Sequence, residues 1–343
     1  LVPPVNRAVI DWVKGILKRP SDWLSRMSRY ISYALGSLLC VPVFWVFREK
    51  THILGDGNLR ATEIAKGIVL SPTEPLDVFL HSQAYQLFRS WWNWDEFTTY
   101  AFLSCLAGAI FVFFTLLLSR EIGQSKKGNL LVLGIIATTG GIQLFFGYVE
   151  SYTFLYASII AYLFFCVRYL KGECSFAAPC LVCLISSSLH VSGFFLLPSL
   201  IYLFILRNKK DTGQFQRGFD ARGVVFILIT LSLSIAGIWM LGSMALKSQE
   251  VGLTHFLIPP LGETEGSYTL FSCSHLLDVL NEQLLIFPLA IAVWAAVLLF
   301  RRRGAVKRDK MSWFFASVAL SLSCLWTQNW AMPGIGIFSR HPE

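Results

Sequence analysis

The chain has 343 residues, 55% of them hydrophobic and only 15% charged, with a formal net charge of +8. Soluble domains carry about a quarter charged residues, so this composition excludes an ordinary cytosolic globular protein. The 28 Phe, 11 Trp and 11 Tyr agree, because aromatic side chains gather in lipid-facing helices and at membrane interfaces.

Eight long intervals are free of Asp, Glu, Lys and Arg: 30–47, 97–119, 128–149, 151–167, 174–206, 223–246, 283–300 and 311–339. A helix needs about 20 apolar residues to cross a bilayer, so most of these intervals predict single passes. The shortest, 151–167, has to borrow its flanks. The interval 174–206 is too long for one pass and carries a polar break from Ser186 to Gly193, which divides it into two short helices. The expected fold is an all-α polytopic membrane protein of about nine transmembrane helices with a cytoplasmic N-terminus.

Charge supports the division. Cytoplasmic loops collect Lys and Arg, and with nine passes 22 of the 29 lie in the inner segments 1–29, 120–128, 168–173, 207–222 and 301–310. Of the 21 acidic residues, 14 lie outside, and His52, His81, His190, His255, His275 and His341 all map to the outer side or its boundary. Exclusion of Lys and Arg from that side explains part of the pattern. An outer binding or catalytic site explains it equally.

Segment 1–29 reads as a cytoplasmic amphipathic stretch, with Val9, Ile10, Trp12, Val13, Ile16 and Leu17 flanked by Lys14 and Lys18. The run 30–47 reads as a signal anchor, because no small-residue cleavage pattern follows it. Residues 30–343 then form one transmembrane domain with two long outer loops, 48–96 and 247–282. A chain that starts without Met and stops at His341-Pro342-Glu343 in an outer loop leaves room for further C-terminal spans. The cysteines fall mostly inside apolar runs (Cys40, Cys105, Cys166, Cys180, Cys183, Cys324), as small core hydrophobes do.

In the first outer loop, Gly55-Asp56-Gly57 reads as a tight turn that lets a ligand approach the Asp56 carboxylate, or as an ordinary Asp-Gly turn. Its place, about nine residues beyond the first span, favours a site at the membrane surface. Farther on, Pro75 suits the first turn of a helix over 75–91, complemented by acidic neighbours. Asp77 and His81 are four apart and share a face, while Leu76, Phe79, Leu80, Leu87 and Phe88 make an apolar face for lying on the membrane. Trp91-Trp92-Asn93-Trp94 reads as an interfacial anchor. Glu150 sits in the turn Phe146-Gly147-Tyr148-Val149-Glu150-Ser151-Tyr152 between two spans, where a carboxylate is costly unless paired or functional. His190 falls at the tip of the 174–206 hairpin.

The second outer loop carries His275, Asp278 and Asn281 within two turns of one helix side. Zinc needs a defined set of three or four ligands, and neither HExxH nor paired CxxC supplies one. Cys180-Leu-Val-Cys183 lies at lipid depth and reads as packing. No Walker loop or dinucleotide fingerprint is present. No cofactor is expected, although the chemistry leaves room for a divalent metal, and the topology gives the basic excess no role with nucleic acid.

These features together resemble the GT-C superfamily of integral-membrane glycosyltransferases, especially its bacterial members. The resemblance rests on Gly55-Asp56-Gly57 outside the first span, Glu74-Pro75-Leu76, Gly147 to Tyr152, Leu189-His190 followed by Leu197-Pro198, and Tyr268 to Ser272 continuing through His275, Asp278 and Asn281. It implies transfer of a sugar, with inversion, from a polyprenyl-phosphate carrier to a glycan, lipid or protein acceptor on the outer face of a bacterial inner (plasma) membrane. An acidic residue of the first outer loop is the base in such enzymes; the matching position is Asp56. Many members carry a paired acidic motif where this chain has one Asp between glycines, so Glu150 and Glu74 stand as substitutes.

The chemistry asks for the same groups independently. A carboxylate takes the acceptor's proton, and Arg60, Lys66 or His190 could meet the charge on the departing phosphate. Asp77, His81, Tyr148, Tyr152, His275, Asp278 and Asn281 are further candidates for binding substrate. Two other readings use the same map: a transporter or flippase of lipid-linked saccharides, and an enzyme like the O-antigen ligases or polymerases. The first would place polar residues at mid-membrane; the second would place arginine pairs in the outer loops.

Overall fold

The computed structural model describes residues 29–51, 57–208, 223–233, 236–237, 272–273, 277, 281, 314–315 and 318. Every regular element named among them is helical: α1 Arg29–Leu38, α2 Cys40–Val46, α3 Gly57–Ala65, α4 Pro75–Trp92, α5 Glu96–Gly123, α6 Lys126–Ala137, α7 Tyr152–Lys171, α8 Ala177–Leu189 and α9 Leu197–Asn208. Short 3₁₀ turns, Gly140–Phe145 and Val191–Leu196, precede α7 and α9. The amphipathic segment expected before Arg29, most of the second outer loop and most of the last expected spans lie outside the described residues.

Three helical stretches among the described residues are long and apolar enough to cross a membrane: Arg29–Val46 (α1 with α2), α5 and α7. At 1.5 Å per residue α5 is about 42 Å long, more than the hydrocarbon thickness. It begins where Asp95 accepts a hydrogen bond from the Thr98 amide at 2.7 Å, satisfying one of the first-turn donors. The α7 span does borrow a flank, running to Lys171 and ending on Gly172 in the left-handed region (φ 79°). The long interval 174–206 is divided as its polar break predicts, with His190 extended between α8 and the second 3₁₀ turn.

The interval 128–149 is not one continuous helix. Helix α6 stops at Ala137, where the Thr138 and Thr139 hydroxyls bond back to the carbonyls of Gly134 and Ile136 at 2.9 and 2.8 Å. Those hydroxyls compete for the helix's own acceptors, and Gly140-Gly141 follows with poor helix propensity.

The core is built around α5 and α7. Phe44 of α2, Phe111 of α5, Phe145 and the α7 residues Phe164 and Val167 form one buried cluster. A second lies between α7, α8 and α9 and includes Tyr162, Cys180, Cys183, Leu196, Leu200, Leu203 and Phe314. Cys180 and Cys183 are thus core residues. Two hydroxyl pairs tie these helices across the apolar layer: Ser158 to Ser186 at 2.8 Å and Tyr162 to Ser199 at 2.9 Å.

Charge divides between the two ends of the long helices. The C-terminal ends of α5 and α7 carry Arg120, Arg168 and Lys171, with Lys171 on Glu121 at 2.6 Å. The N-terminal ends carry the acidic and histidine residues described below.

Gly108 of α5 makes the close approach at the centre of the first cluster possible. A Cβ there would lie 2.7 Å from the Phe145 Cβ and from the Phe44 ring. Overpacking of this kind costs about 1–3 kcal/mol. Gly108→Val should therefore lower the thermal midpoint of detergent-solubilised protein by several degrees, and an unchanged midpoint would contradict this packing of α2 on α5.

Candidate functional site

Three stretches that are distant in sequence meet at the N-terminal ends of α5 and α7: the α3–α4 segment, the 147–152 turn and the α8 hairpin tip. The Val191 amide donates to the Thr73 carbonyl at 2.8 Å, stitching the hairpin to the loop before α4. The Ser104 hydroxyl donates to the Tyr148 carbonyl at 2.7 Å, fixing the turn against α5. Helix α3 starts against the same turn, since a Cβ on Gly57 would lie 1.8 Å from the Val149 carbonyl oxygen. Gly57 thus serves close helix packing. Its neighbours Gly55 and Asp56 lie outside the described residues.

Glu74 is the centre of the resulting polar cluster. It directly precedes α4, with Pro75 in the first turn, and its carboxylate makes no cap. It turns instead toward Arg60 of α3, whose Nε lies 2.6 Å from Oε2 and whose second terminal nitrogen donates to Oε1 at 3.3 Å. Arg60 also donates to Glu63 at 2.7 Å and to the Thr73 hydroxyl at 3.3 Å. On the other side, His190 Nε2 lies 3.4 Å from Glu74 Oε1.

The hydrogen bonds place one proton on each histidine. His190 Nδ1 accepts from the Ser192 amide at 3.0 Å, so Nδ1 carries the lone pair and the proton sits on Nε2, facing Glu74. His81 carries its proton on the other nitrogen: Nδ1 donates to the Asp77 carbonyl at 2.9 Å and lies 3.1 Å from Asp77 Oδ2. The partner atom decides in each case, because a carbonyl can only accept and an amide can only donate.

The carboxylates therefore differ. Burial alone would raise the pKa of Glu74, but the His190 hydrogen bond and the Arg60 charge outweigh it and hold Glu74 below the usual carboxylate range. Asp77, wholly buried, is held above that range by desolvation, which His81 only partly offsets. Adjacent carboxyls pushed in opposite directions are a recurring arrangement in acid–base sites.

Asp77 and His81 are each 0% exposed, on the inward face of α4, while Phe79, Leu80, Leu87, Trp91 and Trp92 point outward. Tyr100 stacks on His81 with ring centroids 3.7 Å apart, and Phe154 meets it edge-on at 5.7 Å. Around this pair, Asp77 Oδ1, His81 Nε2 and the hydroxyls of Ser82, Tyr100 and Thr153 are buried without a hydrogen-bond partner, while Asp77 Oδ2 has the His81 contact. Each such group costs about 1–3 kcal/mol.

The remaining candidates are distributed as follows. Glu150 is buried and accepts from the Ser151 amide at 3.2 Å. Tyr152 packs its ring on His190 at 4.6 Å, and Tyr148 is half-buried in the same turn. Lys66 is exposed beyond the end of α3. Asn281 is helical and exposed, while His275 and Asp278 lie outside the described residues. Among the described residues no group of three His, Cys, Asp or Glu is placed to hold a metal.

Tyr100, Thr153 and Ser82 escape a motif search because isolated hydroxyls in apolar helices have no spacing signature. Only the i, i+4 pair Asp77–His81 pointed to that face of α4.

The two carboxyls predict opposite substitution effects. Glu74, held low, stabilises the fold near neutral pH, and that contribution disappears as pH falls through its folded value. Asp77, held high, favours the fold when protonated, and that contribution disappears as pH rises through its own folded value. Near neutral pH Glu74→Gln should cost about 3–5 kcal/mol, as breaking a buried ion pair does, whereas Asp77→Asn should leave the thermal midpoint unchanged or raise it. Shifts of the same sign for both variants would refute the assignment. No protein-family model, curated protein or solved structure matches this chain, so its activity is argued from these residues.

Proposed function

We propose that this chain is an inverting glycosyltransferase of GT-C type that moves a sugar from a polyprenyl-phosphate carrier to a hydroxyl of a glycan, lipid or protein acceptor. In this reading it crosses a bacterial plasma membrane about nine times and works on the outer face. The observation that carries the proposal is the convergence of Arg60, Glu74, Asp77, His81, Glu150 and His190 at one end of an apolar bundle, beside a helix whose outer face is apolar.

A lipid-linked donor requires this combination. Its tail stays in the bilayer, its phosphate lies at the interface, and its anomeric carbon must meet an acceptor from the aqueous side. Helix α4 lies where the carrier would approach, with Phe79, Leu80 and Leu87 exposed on one side and Asp77 and His81 buried on the other. The ionisable groups gather at the helix ends, whereas a transporter is expected to hold them at mid-membrane.

In the transfer step the acceptor oxygen attacks the anomeric carbon and loses its proton to a base. The bond to the phosphate oxygen breaks with its electron pair, releasing polyprenyl phosphate. Asp56 is assigned as base from the sequence, as the acidic residue of the first outer loop that matches the base position of such enzymes. Glu74 is a poor substitute, since its lone pairs are already committed to Arg60 and His190. Arg60 faces two carboxylates and could meet the departing phosphate only by leaving Glu74, whereas Lys66 is exposed beyond the end of α3.

Membranes holding the protein and its native acceptor should release sugar from at least one of a panel of radiolabelled polyprenyl-phosphate hexoses and pentoses. Asp56→Asn at equal expression should reduce that release by about 10²–10⁴-fold, the usual contribution of a general base. Near-normal release by the variant would remove Asp56 from the mechanism; no release from any donor would remove the transferase reading.

A further inference from the structure

The buried groups around His81 are unusual because of what they lack. Five polar atoms of Asp77, His81, Ser82, Tyr100 and Thr153 are sealed from solvent with no hydrogen-bond partner, although three different helices, α4, α5 and α7, supply them. Native interiors seldom leave such groups unpaired, and a cluster of them points to a partner that is taken up in another state.

The chemistry of the cluster narrows that partner. The Asp77 carboxyl, His81 Nε2 and the hydroxyls of Ser82, Tyr100 and Thr153 together offer both donors and acceptors. None of these groups is a fixed cation, so phosphate is not suited to the place. The Tyr100 and Phe154 rings add flat apolar surface. Hydroxyls alternating with C–H faces are what a sugar ring presents.

Helix α3 packs over this cluster. Its Ala61 and Ile64 pack with Val78, Tyr85 and Tyr100, the α4 and α5 residues that flank the buried pair. Its polar fastening is Arg60, which grips Glu74, Thr73 and its own neighbour Glu63. Beyond its end, Gly67 takes φ +84°, a backbone turn that glycine tolerates without strain.

We propose that Asp77, His81, Ser82, Tyr100 and Thr153 form the binding site for the donor's sugar ring, closed here beneath α3, and that α3 lifts when Arg60 exchanges Glu74 for the donor's phosphate. The proposal rests on the transferase reading above and deepens it. It gives Arg60 two successive partners: a carboxylate that latches the empty site and a phosphate that releases it. Arrival of the carrier thereby uncovers the groups that read its sugar, and those groups gain the hydrogen bonds they lack when the site is closed.

Cysteine accessibility tests this without requiring turnover. In a Cys273→Ser background, Ser82→Cys is exposed in membranes to an impermeant maleimide, with denatured protein giving the unprotected rate. The expected result is labelling at least about ten-fold slower than in denatured protein, with most of that protection lost in Arg60→Ala. Should Arg60→Ala yield no folded protein, Arg60→Lys, which keeps the charge without the two-pronged grip, decides the point. Plain polyprenyl phosphate should speed labelling of the Arg60 parent, while a carrier bearing the accepted sugar should not, because the ring then covers the introduced thiol.

Labelling that is indifferent to Arg60 overturns the lid. Labelling accelerated equally by sugar-bearing and plain carriers overturns the sugar site. A response to Arg60→Ala combined with no response to any carrier, and no sugar release by the parent, overturns the donor reading while leaving α3 as the cover of this pocket.

Discussion

The polar end of this helix bundle depends on one buried carboxylate. Glu74 is held by Arg60 from α3 and by His190 from the α8 hairpin, and it sits directly before α4. A carboxylate removed from water is tolerable only when its charge is matched and its lone pairs are used. Satisfying it requires three stretches of chain to be in register at once. The hydrogen bond from the Val191 amide to the Thr73 carbonyl and the tight seat of Gly57 on Val149 follow from that register. The polar groups of the site thus become a structural constraint on the fold, and loss of the Glu74 charge would loosen α3, α4 and the hairpin together.

The same constraint sorts the chemistry. Donors used on Glu74 are unavailable to a substrate, so Arg60 and His190 act in this state as positioning residues. The pair farther along the same helix, Asp77 and His81, is buried beside them without sharing those donors. One carboxyl is kept charged, the other is pushed toward its neutral form, and the two histidines use Nδ1 oppositely, as donor in His81 and as acceptor in His190. A cluster that would look redundant as a collection of acids and bases is therefore divided into distinct parts by burial and by a few backbone partners.

Apolar packing below this cluster is of a different kind. Phe, Tyr, Cys and Ser side chains interdigitate between α5, α7, α8 and α9, and hydroxyl pairs such as Tyr162 with Ser199 cross the layer. In lipid, association of helices gains little from hydrophobicity, so close packing and shared hydroxyls hold them. Basic residues at the C-terminal ends of α5 and α7 and acidic residues at the opposite end complete a bundle that is polar at its ends and dry in its middle.

Composition and the spacing of charged residues by themselves determined that this is a helical protein with apolar spans, where the 174–206 hairpin divides, and that α4 has one apolar and one polar face. These properties follow from local periodicity and from the cost of charge in lipid, which every segment expresses alone. The break of the 128–149 interval after Ala137 was less legible, because two threonines and two glycines stop a helix only when their hydroxyls find carbonyls nearby. Only the tertiary structure decided that Arg60, Glu74 and His190 are one network, that Gly57 serves packing, and that Tyr100, Ser82 and Thr153 join Asp77 and His81. Contacts between residues as far apart in the chain as Glu74 and His190 leave no periodic trace in a sequence, since they depend on how helices are placed against one another.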